Sequence, residues 1–243
     1  MRGMNAPAFP YLHDDFGIEI LEIDLQDDLP ETAWQSLREA LATHALLVLR
    51  KQKLTHEAMQ RAVLHFGARH AEVQRVETRG PSENQDWHST VAYDRGPAVA
   101  TLLCAREAPP QDGGIEFVST RAAYTSLPAS EQQKLLRLEG SHLFAANADR
   151  IITHPLVVTD ARTQQHSLFV GAHLTGISGV SAKESERLIR QLMACATKPE
   201  RIYHHDFRPD DVLIWDNAAL MHRACGLRAG ERRVVEILSA YAA

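Results

Sequence analysis

Cysteine is scarce in this chain: Cys104, Cys195 and Cys225 are three in 243 residues, an odd count without CxxC spacing. That excludes a disulfide-built fold and a paired-cysteine zinc ribbon, and it leads us to expect reduced thiols in a cytoplasmic protein. Long apolar runs are missing as well. No stretch approaches the ~20 residues that a membrane span needs, and the opening MRGMNAPAFPYLHDD has no signal-peptide core. Positive charge is not in excess. A formal net charge of −5 leaves no footprint for nucleic acid or an anionic membrane. Repeats, low-complexity tracts and linkers are also absent, so residues 1–243 read as one domain, long enough for a substantial core.

What is present is an ordinary globular balance of 44% hydrophobic and 23% charged residues, together with 13 histidines. With so many imidazoles, a functional reading of any one must rest on its context. FGIEILEIDL (16–25) alternates like a strand, and Pro30 opens a helix with Trp34, Leu37 and Leu41 inside. ALLVLR (45–50) suits a strand buried on both faces. Thr55 caps a second helix that carries Met59, Val63 and Phe66 and closes at Gly67.

From residue 87 onward short strands dominate: 100–107, 113–119, 154–160, 166–173, 211–217 and 232–241. Two helices interrupt them. One starts at Ser130 with Gln133 placed for a capping box; the other starts at Ser181 with Glu184 placed likewise and buries Leu188, Leu192 and Met193. Many short strands with few helices predict a mainly β fold, a sandwich or jelly roll with helices packed outside. Strand and helix do not alternate regularly enough for a doubly wound parallel sheet.

Two histidines at strand ends carry the chemistry: His88 in QDWHST (85–90) and His222 in WDNAALMHRA (215–224). A jelly roll brings such ends together at its mouth. Two neutral imidazoles and one carboxylate on one face of a metal leave open positions, which is how non-haem Fe(II) takes oxygen and a cosubstrate. The carboxylate usually comes from an H-x-D/E triplet. Here the triplet is His88-Ser89-Thr90, so it is missing. His204-His205 is a tempting second metal pair, but adjacent strand residues face opposite ways, and a structural role fits better. Asp216 and Asn217 read as turn formers.

WHST (87–90), LLCAREAPPQDGGIEF (102–117), RAAYTSLP (121–128), HPLV (154–157), SLFVGAH (167–173), KPERIYHHDFRPDDVLIWDNAALMHRA (198–224) and ERRV (231–234) together resemble the taurine dioxygenase and 2,4-dichlorophenoxyacetate dioxygenase (TauD/TfdA) family. The stretch 45–67 resembles it more weakly. The resemblance implies a double-stranded β-helix with flanking helices, and an Fe(II)- and 2-oxoglutarate-dependent oxygenase acting on a small organic, carboxylate-bearing substrate. It implies His88 and His222 as metal ligands. It also implies Arg233 as the arginine on the far carboxylate of 2-oxoglutarate, a task that suits the planar guanidinium fork. Arg232 points to the other face of its strand. His173 falls where phenoxyacetate-type members line the substrate pocket, although packing explains it as well; Trp87 is expected beside the site. Ile237 replaces the second substrate-binding arginine of taurine-type members, which disfavours a sulfonate substrate. A homo-oligomer is compatible with the sequence.

Two departures stand in one site. Thr90 holds the position of the aspartate ligand, and Ile115 that of a threonine whose hydroxyl helps hold 2-oxoglutarate. Losing that hydroxyl removes a hydrogen bond of roughly 1 kcal/mol net, more if it met a charge. Three readings of Thr90 follow. Iron binding is lost; or a halide fills the gap, as in related halogenases with glycine or alanine there, though Thr90 would crowd it; or Glu116, Asp94 or the substrate supplies the carboxylate. The competing overall reading is a repurposed scaffold, without iron or 2-oxoglutarate, that binds a ligand or works without oxygen.

Overall fold

The strand Leu46–Leu49 is buried at every position, because it runs through the middle of a sheet covered on both sides. Around it, the computed structural model describes residues 10–70, 72–90, 96, 98–143 and 151–242. The chain enters through β1 (Ile18–Ile20), α1 (Glu31–His44), β2 (Leu46–Leu49) and α2 (His56–Leu64). It continues as β3 (Arg69–His70), β4 (Gln74–Arg79), β5 (Ala100–Glu107), β6 (Ile115–Ser119), α3 (Thr120–Thr125) and α4 (Ala129–Leu135). A lobe of short strands follows, β7 (Glu139–Leu143), β8 (Ile151–Pro155), β9 (Val157–Thr159), β10 (His166–Leu168) and β11 (Leu174–Ile177). The last stretch holds α5 (Ala182–Ala196), β12 (Tyr203–His205), β13 (Val212–Asp216), β14 (Leu220–Ala224) and β15 (Arg232–Tyr241).

Two sheets build the jelly roll. The larger has the order β1-β2-β13-β5-β15-β3, with β4 also pairing along β15. The smaller is β12-β6-β14, antiparallel throughout. Phe117 and Leu220 of the smaller sheet meet Trp215, Leu103 and Val235 of the larger in one buried cluster. On the far side of the large sheet, α1 and α2 lay Trp34, Leu37, Leu41, Met59 and Val63 against Leu47, Leu49, Leu102 and Ile214. The helices α3 and α5 cover the outside of the smaller sheet, where Val118 and Met221 meet Tyr124, Leu192 and Ala196. The fold is therefore mainly β, a jelly roll with flanking helices. Among the described residues no helix is long and apolar enough to cross a membrane.

Several local expectations need correction. The first strand stops at Ile20 rather than 25, since Glu22 has φ 63°, a turn conformation. Strand 154–160 breaks at the buried Leu156, whose N–H bonds Leu138 O while its own carbonyl accepts from Phe169 N. Ser130 does not cap a helix: α4 begins at Ala129 after Pro128, without a side-chain cap. Gly67 is not a left-handed cap either. The second helix ends at His65 in right-handed geometry, and Gly67 is needed because a Cβ there would come within 2.7 Å of Tyr241 O. The caps at Thr55 and Ser181 are formed, through Ala58 N and Glu184 N.

Candidate active site

The antiparallel register of β14 on β6 sets His222 opposite Phe117 and Ala224 opposite Ile115. Opposed residues share a sheet face, so His222, Phe117 and Ile115 all look into the barrel. There the His222 ring lies 4.9 Å from Trp215 and 6.0 Å from Phe117, centroid to centroid. His88 reaches the same place as an isolated bridge. Its N–H donates to His222 O at 3.0 Å, and His222 N–H donates back to His88 O at 2.9 Å. The two rings stand 4.4 Å apart at 54°, although 134 residues (222 − 88) separate them in sequence.

The protonation pattern suits nitrogen donors. His88 Nδ1 lies 2.8 Å from Asp86 O, so Nδ1–H donates there and Nε2 is the ring nitrogen left for a metal. Burial, with the neighbouring His88 second, holds His222 well below the ordinary imidazole pKa, so the ring is neutral at pH 7. His222 Nδ1 is buried with no hydrogen-bond partner among the described groups. Ser89 fixes the segment after His88: its hydroxyl donates to Leu220 O at 3.2 Å, and its N–H to His173 Nε2 at 3.4 Å.

Arg233 sits at the other end of β14. Its Nη1 donates to Gly113 O at 2.6 Å, Gly114 O at 3.2 Å and Cys225 O at 2.8 Å. The glycine pair is required for this. Gly113 has φ +62°, and a Cβ on Gly114 would come within 2.1 Å of His205 O. Among the described residues Nη2 has one long contact, 3.5 Å to Thr78 Oγ1, so this side of the fork is the one for an incoming group. Burial lowers the pKa of Arg233, which still carries its charge at pH 7. Arg232 faces outward to Glu77 and Glu107. From His222 to Cys225 is three residues of extended chain, about 10 Å. Ile115, 3% exposed, lies between the two on the inner face. Ile237 follows Arg233 and Val235 on that face of β15 and packs against the same cluster.

Two expectations are overturned by strand alternation. Trp87 is not beside His88 in the barrel: it points the opposite way, into the cluster with Val118 and Met221, beneath the Arg223 guanidinium at 4.6 Å. Glu116 cannot supply the missing carboxylate. It faces outward, where Arg223 Nε donates to Oε2 at 2.6 Å. Thr90 is half-buried two residues past His88, and Asp94 lies outside the described residues. Among the described residues, no carboxylate joins His88 and His222 in a group of three close ligands. Asp216 and Asn217 do form the β13–β14 turn, where Asp216 Oδ1 accepts from Ala218 N at 2.9 Å.

His173 is buried beside this site. Gly171, at φ +151°, passes so close that a Cβ would lie 2.7 Å from His173 Nε2 and 3.3 Å from His88 Cα. Sequence reasoning missed its partner. His142, fully buried on β7, places Nδ1 2.8 Å from His173 Nδ1, with Phe169 tilted and His154 edge-on against its ring. Since His173 Nε2 accepts from Ser89, its Nδ1–H donates to His142. The His142 Nε2–H is then left buried without a partner among the described groups. Burial pushes His142 down to about 4 and His173 to about 3, with neighbouring histidines adding to both. For His142 the only advance signal was the abundance of histidine.

The family model for taurine catabolism dioxygenase TauD, TfdA, matches residues 8–241. This chain belongs to the TauD/TfdA family. A relative named (S)-phenoxypropionate/alpha-ketoglutarate-dioxygenase, from Sphingobium herbicidovorans, is 29% identical over 95% of this chain and 94% of its own. Another, named alpha-ketoglutarate-dependent 2,4-dichlorophenoxyacetate dioxygenase, from Cupriavidus pinatubonensis, is 27% identical over 90% and 92%. Among solved structures, a taurine dioxygenase from Burkholderia xenovorans superposes with a TM-score of 0.89 at 26% identity, covering 96% of this chain and 90% of its own.

Proposed function

We propose that this chain is an Fe(II)- and 2-oxoglutarate-dependent oxygenase whose metal is held by His88 and His222, with Thr90 where relatives of its family have a carboxylate ligand. The observation that carries the reading is the convergence of two imidazole rings, 4.4 Å apart, on the inner face that also ends in the Arg233 fork. The donor set suits a divalent first-row metal in nitrogen count but lacks a negative protein ligand. If bound, iron would supply the chemistry by which dioxygen oxidises both partners, 2-oxoglutarate to succinate and CO2 and a small organic substrate to its product.

The chain's own residues do the positioning. His88 offers Nε2 because Asp86 O holds Nδ1–H. Arg233 aims Nη2 and Nε at the far carboxylate of the cosubstrate, while Nη1 is fixed by three carbonyls. Phe117, Trp215 and Ile115 exclude water between the metal end and the arginine end, so the charge–charge contact at Arg233 is little screened. His173, close to Ser89 N, and Thr90, two residues past His88, would line the substrate pocket beside a metal held there. Two relatives are named for aryloxyalkanoates, and Ile237 offers no charge to a sulfonate. These points support a small carboxylate-bearing organic substrate. The absence of a carboxylate as third ligand among the described residues favours one competing reading, a scaffold that has given up iron.

Anaerobic titration with Fe(II) and 2-oxoglutarate separates the two. The proposal predicts the weak visible charge-transfer band of the bound pair and succinate release under air. A flat spectrum at saturating iron, with no succinate, would leave the repurposed scaffold.

A further inference from the structure

We propose that Glu116, His204 and Cys225 form a second, separate site for a borderline-soft divalent cation, of which Zn2+ is the best chemical match, on the outer face of the small sheet. Three adjacent strands deliver one ligand each. β12 sets His204 opposite Glu116, and Cys225 follows β14 directly, its N–H donating to Gly114 O at 2.9 Å. His204 Nδ1 lies 3.5 Å from Glu116 Oε1 and 3.7 Å from Cys225 Sγ, and all three ligand atoms fall within 4.8 Å of one another. A tetrahedral zinc with bonds of about 2.0–2.3 Å holds its ligand atoms about 3.3–3.6 Å apart. The two gaps to His204 Nδ1 already match, to within a few tenths of an ångström.

The surroundings orient each ligand. His204 Nε2 lies 2.9 Å from Asp206 Oδ1; that nitrogen donates its proton to the carboxylate, leaving the Nδ1 lone pair directed at Cys225 and Glu116. A carboxylate behind the imidazole is the arrangement that fixes a metal-binding histidine. Arg223, seated over Trp87, holds Glu116 by its other oxygen, Oε2, and leaves Oε1 towards the cluster. Cys225 is buried, while the His204 side chain is 38% exposed, so a cation enters past the imidazole and water takes the fourth position. On binding, the Cys225 thiol releases its proton to solvent and its sulfur bonds the metal; nothing is oxidised or reduced. One thiolate and one imidazole select zinc over magnesium or calcium. Strand alternation puts this cluster on the opposite face from His222, so it stands or falls independently of the proposed iron site.

The test is anaerobic titration of the full chain with Co2+, whose bond to a thiolate gives an intense near-ultraviolet charge-transfer band absent from nitrogen–oxygen sites. The band is expected in the wild type and in His88→Ala, is displaced by Zn2+, and disappears in Cys225→Ser. Asp206→Asn, at a side chain 78% exposed, should leave the fold intact and weaken binding roughly 10- to 100-fold. No thiolate band at saturating Co2+ would overturn the site, as would a band that survives Cys225→Ser. Should Cys225→Ser fail to fold, unchanged affinity in Asp206→Asn overturns it instead.

Discussion

Arg233→Lys separates the two tasks given to Arg233. In the folded chain, Nη1 is committed to Gly113 O, Gly114 O and Cys225 O, leaving Nη2 and Nε as the pair that meets a carboxylate. A lysine ammonium has three donors at a single point and reaches either the carbonyls or the cosubstrate with good geometry, not both. Losing one charge-assisted hydrogen bond of the bidentate pair costs about 1.5–3 kcal/mol, and tenfold per ~1.4 kcal/mol makes that about 10- to 150-fold in 2-oxoglutarate affinity. The positive charge stays, so the carbonyls keep a partner and thermal stability should fall only modestly. The assay is the anaerobic iron and 2-oxoglutarate titration run beside a melting curve. An unchanged 2-oxoglutarate dissociation constant would refute the placement of the cosubstrate on this fork.

Three further outcomes follow from named contacts. Thr90→Asp restores a negative ligand two residues past His88, and Fe(II) affinity measured by anaerobic competition should rise by at least roughly tenfold, since even outer partners of metal ligands are worth that much; no gain would mean the pocket has changed more widely. Gly171→Ala forces a Cβ to within 2.7 Å of His173 Nε2 at φ +151°, and should cost about 1–3 kcal/mol in urea unfolding and weaken metal binding; a neutral result would show that the close approach is not real. His142 and His173 are held neutral, at about 4 and about 3, while the unfolded chain titrates near 6.5. Below pH 6.5 the unfolded state therefore takes up protons that the folded state refuses. Their stabilisation, complete above pH 6.5, is lost as the pH falls towards those values, by up to ~1.4 kcal/mol per pH unit for each histidine. Urea midpoints at pH 7 and 5 should differ more in the wild type than in His142→Gln, and equal differences would contradict the assignment.

The parts of this molecule legible in its sequence are those governed by short-range rules. Buried β2 showed as a continuous apolar run, and β5 and β15 were delimited by their own residues. Alternation on β15 separated Arg233 from Arg232. The same rule, applied at Trp87, would have turned that ring away from His88, and applied at Glu116 would have removed it as a ligand beside His88 and His222. Other features depend on distant pairing. β4 is almost wholly exposed and polar, so no apolar period announced it; it exists because β15 offers it a partner. His142 reaches His173 only because β7 pairs with β11, and His204 reaches Cys225 only across β6. The carboxylate missing from His88-Ser89-Thr90 was legible at once.

The central claim is that one divalent metal sits between His88 and His222. Crystals grown with Mn(II) and 2-oxoglutarate under anaerobic conditions test it by anomalous scattering at the manganese edge. The account predicts one peak bonded to both imidazoles, with the far carboxylate of 2-oxoglutarate on Arg233. A map with no peak between those rings, or with manganese bound elsewhere and the rings packed against each other, would contradict it.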